Sequence, residues 1–496
     1  MNISQLFLDA AKRYPNHLAI VDPKQSVRYI DLEKDVLRTA AYFKSKGIEK
    51  GDRVLVFVPM SVDLYRIVLA LFYCGATAVF LDAWVNKKRL ELCCEIADCK
   101  GFIGVPKARV FGWFSKPLRQ IPIKLKLKKT HSQITTMEPV SEHDSALITF
   151  TTGSTGRPKA ADRTHGFLKE QFDALIDEID PQVSDVDMPV LPIVLFVNLG
   201  VGCTSVIADF KMSKPEKMKA RKLVRQIKKY KVNRVTASPY IVEQLAKKTL
   251  HRNVFENIEK VFTGGAPVFP SQAKLLKVAF SAAKVNIVYG STESEPISSI
   301  EANELIASEA KISEGLPVGK IYHKAELRII KISEEAIPKA SPESLQAITQ
   351  RDGEIGEIIV SGPHVLKRYF NNEEAFKMNK IVVGDTIWHR TGDSGFLKDG
   401  QLYLTGRCQQ LIYHQGTILS PFIIENQLQQ IEGVTMGTLL QLNSKLTLIV
   451  EGASRENLVR KNCSNIPFED LIFMKIPRDP RHNSKIDYPA LKAKLS

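Results

Sequence analysis

With 496 residues, 44% of them hydrophobic and 25% charged, the chain has room for two or three domains with large buried cores and the balance of an ordinary soluble globular protein. Its seven cysteines, odd in number and scattered, exclude a disulfide framework and point to a reducing compartment. The net charge of +15 concentrates in residues 107–129 and 211–231, a pattern that marks nucleic acid, an anionic membrane surface or an acidic partner such as a carrier, and otherwise forms a solvated face.

Few aromatics alternate with these lysines and no nucleic-acid module is visible, so no nucleic-acid partner is expected. The N-terminus lacks a basic n-region and reaches Asp9 before any apolar core of signal length, so a cytoplasmic location is expected. Residues 3–14 have helical spacing, 18–21 and 26–29 read as short strands, and 30–46 form an amphipathic helix closed by Gly47. Residues 53–59 are a continuous β run, 63–72 a helix and 78–81 the next strand. This βαβ rhythm predicts a parallel sheet covered by helices. Cys93, Cys94 and Cys99 lack a second metal-spaced pair and read as helix packing.

An apolar run, 147–150, then feeds Thr151, Thr152, Gly153, Ser154, Thr155 and Gly156, followed by Lys159. Glycine lets backbone N–H groups face an anion without a Cβ in the way, hydroxyls donate further hydrogen bonds, and lysine adds a point charge. That composition suits a phosphate cradle. A P-loop needs four residues between its glycines and a Gly-Lys-Ser/Thr ending, so a P-loop kinase or ATPase is disfavoured. Taken alone, the stretch also suits a polar surface loop.

Residues 164–179 read as a helix. The uncharged run 67–81 is too short to span a bilayer. The run 188–208 is long enough, but Pro189, Pro192, Asn198, Gly200 and Gly202 suit buried strand and turn better than a membrane helix, so no transmembrane segment is expected. A strand ends near Pro239 before a helix over 240–248, and the β run 260–262 delivers Gly264, Gly265, Ala266 and Pro267. Another strand ends in Tyr289, Gly290, Ser291, Thr292 and Glu293, where a helix cap pairing Thr292 with Glu295 is the plain alternative. Thr391, Gly392 and Asp393 alone read as a β-turn, with a hairpin at 398–401 and then Arg407. The remainder holds strands at 410–413 and 446–450 and helices near 422–430 and 456–461.

Residues Thr151 to Lys159 resemble the phosphate loop of the adenylate-forming superfamily, the acyl-CoA synthetases, luciferases and peptide-synthetase adenylation domains. They match its Ser/Thr-Ser/Thr-Gly-Ser/Thr-Thr-Gly-x-Pro-Lys pattern throughout, with Ala160 in place of the closing glycine. Tyr-Gly-Ser-Thr-Glu at 289–293 and Thr-Gly-Asp at 391–393 match in the family's order. The resemblance implies an α/β fold, with helix-covered, mostly parallel sheets and a β-rich subdomain over 1–406 and a small mobile α+β domain over 407–496. It implies that Gly264 to Pro267 lie against adenine and that Tyr289 stacks on it. Thr292 would bond the α-phosphate and Glu293 hold Mg²⁺, an acid for a hard cation. Asp393 would grip the ribose hydroxyls and Arg407 touch ribose or phosphate. Lys485 would be the lysine that neutralises charge during adenylation, although Asp479 and Asn483 depart from the motif around it. Gln409 stands where the family's hinge is normally Asp or Lys, and Phe196 is the candidate neighbour of the carboxylate substrate.

The implied reaction joins a carboxylic acid, fatty or 3-hydroxy fatty, to AMP at the expense of ATP, with pyrophosphate released. Residues 102–108, 294–299, 416–418 and 481–486 look more like the β-lactone synthetases of bacterial olefin biosynthesis than like typical acyl-CoA ligases, so internal lactone closure stands beside thioester formation. ATP and Mg²⁺ are the expected cofactors, with coenzyme A for the thioester route, and an acyl carrier protein or a pathway enzyme is a candidate partner. The departures at Ala160, Gln409 and Asn483 leave a weak or inactive paralogue that binds nucleotide or acyl chains as the alternative.

Overall fold

A computed structural model describes the chain except residues 82–86, 114, 152–157, 251–254, 310–313, 480–484 and 496, with residues 87, 111, 113 and 151 described by their backbone alone. In the first sheet Ile123–Leu125, Gly101–Gly104, Arg53–Phe57, Thr77–Phe80 and Ser145–Thr151 lie parallel in that order, and Lys159–Thr164 closes the edge antiparallel. The second sheet runs from Lys320–Ile321 through Ser294–Glu301, Lys284–Ser291, Lys260–Gly264, Arg234–Ala237, Val186–Pro189 and Thr204–Val206 to Leu18–Val21 and Ser26–Arg28. Its interior pairs are parallel and its edges antiparallel. The inner strands are largely buried because helices cover both faces, and the buried charges they carry are paired there, Arg234 with Asp185 at 3.1 Å and with Asp187 at 3.2 Å.

The helix Val62–Tyr73 ties the two sheets together. All its residues but Asp63 are buried, and its core cluster includes Val54 and Ala78 of one sheet and Ile20 of the other. Ser61 starts it, its Oγ accepting from the Leu64 amide at 3.3 Å.

Residues 188–208 correct the sequence reading of strand and turn. They form the end of a strand, a ten-residue helix Pro192–Val201, and the strand Thr204–Val206. Pro192 opens the helix, where its missing N–H costs nothing, and Gly202 ends it in the left-handed region at φ +111°. In the basic stretch 211–231 only Ala220–Tyr230 is α-helical, preceded by a 3₁₀ turn at Pro215–Lys217.

The third sheet is antiparallel, ordered Leu316–Pro317, Gln401–Arg407, Thr386–Lys398, Gly356–Ser361 and Glu326–Ile330, with Lys380–Val383 paired to Thr386–Lys398. Beyond it come the hairpin Ile412–His414 with Thr417–Leu419, the helix Pro421–Gln429, and a mixed sheet of Val434–Leu442, Lys445–Gly452 and Asp470–Phe473. The expected α/β architecture of parallel, helix-covered sheets, a β-rich unit and an α+β end is what the chain adopts. No helix among the described residues is long and apolar enough to cross a membrane.

Val58, Leu81, Val105, Ile207, Gly265 and Tyr289 lie at or just past the C-terminal ends of parallel strands from both sheets, and all line one cleft. Open α/β sheets bind ligands at that end, where the loops gather exposed backbone groups.

Candidate active site

The cleft has a volume of about 1440 Å³ and takes one wall from each sheet and a roof from the C-terminal segment. The turn after Lys260–Gly264 supplies Gly265, Ala266 and Pro267. The stretch Tyr289, Gly290, Ser291, Thr292 and Glu293 lies on the same cleft, as do Lys159, Asp393, Arg407 and Lys485. Gly264 is absent from the lining. A Cβ on it would stand 2.5 Å from the Val288 carbonyl oxygen, so the adjacent strand requires this glycine. Thr152, Gly153, Ser154, Thr155 and Gly156 lie outside the described residues, and Thr151 is described by its backbone, paired with Lys159.

Thr292 and Glu293 form the tight turn between Lys284–Ser291 and Ser294–Glu301, so the segment is a hairpin and no helix cap. On one side of it the Tyr289 hydroxyl donates to Asp393 Oδ2 at 2.8 Å, and Arg407 Nε stands 3.1 Å from Oδ1. Arg407 also donates from Nη1 to the Thr391 carbonyl at 3.1 Å. Burial, and then the Asp393 charge, push the Tyr289 pKa well above its ordinary value, so the phenol keeps its proton and donates. A carboxylate offers about four lone-pair sites, so these two bonds leave about two for further hydroxyl donors. The carboxylate is oriented without being saturated.

On the other side Glu293 is buried, with Tyr369 Oη donating to its Oε1 at 3.2 Å and its carbonyl taking the Leu366 amide at 2.7 Å. Arg163 Nη2 holds the Thr292 carbonyl at 3.1 Å. Lys380, 0% exposed, donates to the Leu366 carbonyl and sits 5.6 Å from the Tyr369 ring centre. Burial pushes its pKa down to about 7, Glu293 opposing the drop and Lys159 adding to it. Lys159 Nζ donates to Asn379 Oδ1 at 2.5 Å, and its own pKa is lowered by burial against the pull of Glu293. His389 is buried beside this group with Nδ1 3.2 Å from the Asn379 carbonyl, so that nitrogen carries the proton of a ring that burial keeps neutral.

Tyr369, Asn379, Lys380 and His389 escaped the sequence reading. The only signal was a lysine opening the β run Lys-Ile-Val-Val at 380–383. A Mg²⁺ ion is typically held by one or two carboxylates and substrate phosphates, not by a dedicated protein cage. Glu293, which lines the cleft together with Lys159, fits that donor set. Among the described residues no group of three or more His, Cys, Asp or Glu forms a stand-alone metal cage.

Away from this polar wall the cleft is lined by Val56, Val58, Met60, Leu64, Phe80 and Phe196. Phe196 packs edge-on against Tyr65 with centres 4.9 Å apart. Thr149 lines the cleft too, and its buried Oγ1 has no hydrogen-bond partner among the described residues. From the roof Glu425, whose pKa burial pushes up to about 8, accepts from the Tyr488 hydroxyl. Lys485 is held by its backbone: its amide donates to Asp479 Oδ1 at 3.2 Å and its carbonyl takes the Asp479 amide at 2.9 Å.

The sequence model of a family described as AMP-binding enzyme matches residues 7–370. An olefin beta-lactone synthetase from Xanthomonas campestris pv. campestris is 29% identical over 419 residues, 80% of this chain and 74% of that protein. A 2-succinylbenzoate–CoA ligase from Bacillus licheniformis is 26% identical over 423 residues, 84% of this chain and 81% of that one. The solved O-succinylbenzoate coenzyme A synthetase from Bacillus subtilis, in complex with ATP and magnesium ion, has a TM-score of 0.80 at 19% identity, covering 98% of this chain and 99% of that one, a likeness of fold. With most of its length inside the family's sequence model, the chain belongs to the AMP-binding enzyme family.

Proposed function

We propose that this enzyme activates a fatty acid bearing a 3-hydroxyl group as its acyl-adenylate and closes that intermediate to a β-lactone. The observation that carries the reading is the continuity of a polar wall of Tyr289, Glu293, Asp393 and Arg407 with an apolar arm in one cleft. A nucleotide and a long acyl chain fit end to end there.

In the first step a carboxylate oxygen attacks the α-phosphorus of ATP, the bond from that phosphorus to the bridging oxygen breaks, and pyrophosphate leaves. The protein's tasks are positioning and charge neutralisation. Lys159 and the 151–156 loop hold the β and γ phosphates, Thr292 the α-phosphate, and Asp393 the ribose. Mg²⁺, when held by Glu293, neutralises phosphate charge. Lys485 supplies a positive charge at the forming ester. Rotation of residues 407–496 about Gln409 then exposes the adenylate for its second step.

There the 3-hydroxyl oxygen attacks the acyl carbon, its proton passes to the departing phosphate or to water, and AMP leaves. Support for the hydroxyl comes from Thr149, whose buried, unpartnered Oγ1 gains a partner when a substrate hydroxyl lies in the arm. Likeness to the Xanthomonas beta-lactone synthetase points the same way. Likeness to the Bacillus CoA ligase favours a second reading, in which coenzyme A or a carrier thiol takes the acyl group.

Incubation with ATP, Mg²⁺ and 3-hydroxy acids of graded length, with and without coenzyme A, followed by mass spectrometry, separates these. Lactone without thiol is the expected product. Thioester that forms only with thiol would replace the lactone reading, and no acid-dependent AMP from any substrate would leave a binding protein.

A further inference from the structure

The two basic stretches of the sequence, far apart along the chain, each reach the lining of the same cleft. Lys107 and Lys211 are both exposed and both line it. Behind Lys107, Lys116 and Arg119 are exposed on the helix Lys116–Gln120, and residues 106–129 contain no Asp or Glu at all. Behind Lys211, Lys214, Lys217, Lys219, Arg221, Lys222, Arg225, Lys228, Lys229 and Lys231 are exposed. The helix Ala220–Tyr230 explains this arrangement: Leu223 and Ile227 are buried, and its basic residues occupy the remaining surface.

Among the described residues only Lys222 of this second group has an ion-pair partner, Asp209 at 2.6 Å, and Glu216 is the one exposed acid between 211 and 231. Val110, 53% exposed, projects from the helix Pro106–Trp113 beside Lys107.

We propose that this face docks on an anionic lipid surface, so that acyl substrates pass from the bilayer into the arm between Lys107 and Lys211. Three features favour a membrane over an acidic protein. The cations spread over two segments far apart in sequence, each with one residue in the cleft lining. An exposed aliphatic side chain stands among them. The cleft that Lys107 and Lys211 line also carries their apolar neighbours Val105, Ala108, Phe210 and Met212, and long-chain acids partition into bilayers. The phosphate headgroups supply the complementary charge, and lysines near such a surface contribute in proportion to their number. The proposal rests on the reading of the arm as an acyl site, but vesicle binding is measured without substrate, so the two can fail independently.

The test is co-sedimentation of the full chain with vesicles of phosphatidylcholine containing phosphatidylglycerol, and with phosphatidylcholine alone, at low and physiological salt. Selective binding to the anionic vesicles, weakened by salt, is expected. A Lys214→Glu, Lys217→Glu, Arg221→Glu variant, changed only at exposed positions off the cleft, should bind those vesicles at least about a hundredfold more weakly. Its pyrophosphate exchange with a short, water-soluble acid should be unchanged, which shows that it folds. Equal binding to both vesicle types, no binding to either, or wild-type binding by the variant would overturn the proposal. So would capture by an acidic acyl carrier protein on native gels with no affinity for vesicles, which would assign the face to a protein.

Discussion

Asp393 links the polar wall of the cleft to the start of the C-terminal segment, since Tyr289 and Arg407 each hold one of its oxygens. Asp393→Asn removes the ion pair and half the acceptor proposed for ribose. It should raise KM for ATP by roughly 10- to 100-fold, in line with about 1.5–3 kcal/mol for hydrogen bonds to a charged group, with little loss of thermal stability. Steady-state kinetics and a melting curve check both. Lys380 behaves differently, because its ammonium is fully buried. Its folded pKa of about 7 lies below its ordinary 10.5, so between these values the unfolded chain binds the extra proton and stability rises with pH. The cost of charging it is complete below pH 7 and gone above 10.5, about 4–5 kcal/mol at 1.36 kcal/mol per unit. Denaturant titrations at graded pH should therefore show a flatter slope over that window for Lys380→Met. The two residues also differ in legibility. Asp393 sits in a local Thr-Gly-Asp signature, while Lys380 becomes part of the site only because Lys380–Val383 pairs with Thr386–Lys398 and turns it inward beside Tyr369, a placement that local pattern does not encode.

Among the elements, Lys260–Gly264 and Lys284–Ser291 place the turn of Gly265, Ala266 and Pro267 beside the Tyr289 hairpin, and their register depends on close approach at Gly264. Gly264→Ala puts a methyl 2.5 Å from a backbone oxygen that cannot swing aside, so the strands must separate. A loss of about 1–3 kcal/mol in unfolding free energy, with weaker ATP binding, is expected from overpacking of this kind. Chemical denaturation and nucleotide titration would show it. The strands and helices of residues 1–81 were readable because period and turn signals agree there. Helix Pro192–Val201 was not, because a run apolar on nearly all sides has no period to separate helix from strand, and Pro192 and Gly202, which read as breakers, in fact open and close it.

At the scale of the molecule, the cleft joins parts with separate cores, and both the fold and the cleft's order of motifs follow from the sequence. What the sequence left open is how the C-terminal segment covers the site, since the contacts of Lys485 and Glu425 depend on three-dimensional packing over residues 406–488. Packing of the N-terminal helix brings its own pH signature. Ile3 N–H donates to His165 Nδ1 at 3.1 Å, and burial pushes that imidazole down to about 4. As pH falls from 6.5 to 4 the unfolded chain takes up a proton the folded one refuses, so stability drops by about 3 kcal/mol over that window. His165→Gln should lessen that drop in urea melts.

The proposed activation requires one ATP to meet one carboxylate in this cleft. The most direct measurement is exchange of labelled pyrophosphate into ATP, with long-chain 3-hydroxy acids, in the wild-type and Lys485→Ala enzymes. Exchange that requires the acid and falls at least roughly 100-fold in the variant, at unchanged ATP affinity, is the predicted result, the scale set by loss of one transition-state charge contact. Exchange at the wild-type rate in the variant, or none in the wild type with an acid of any chain length, would contradict it.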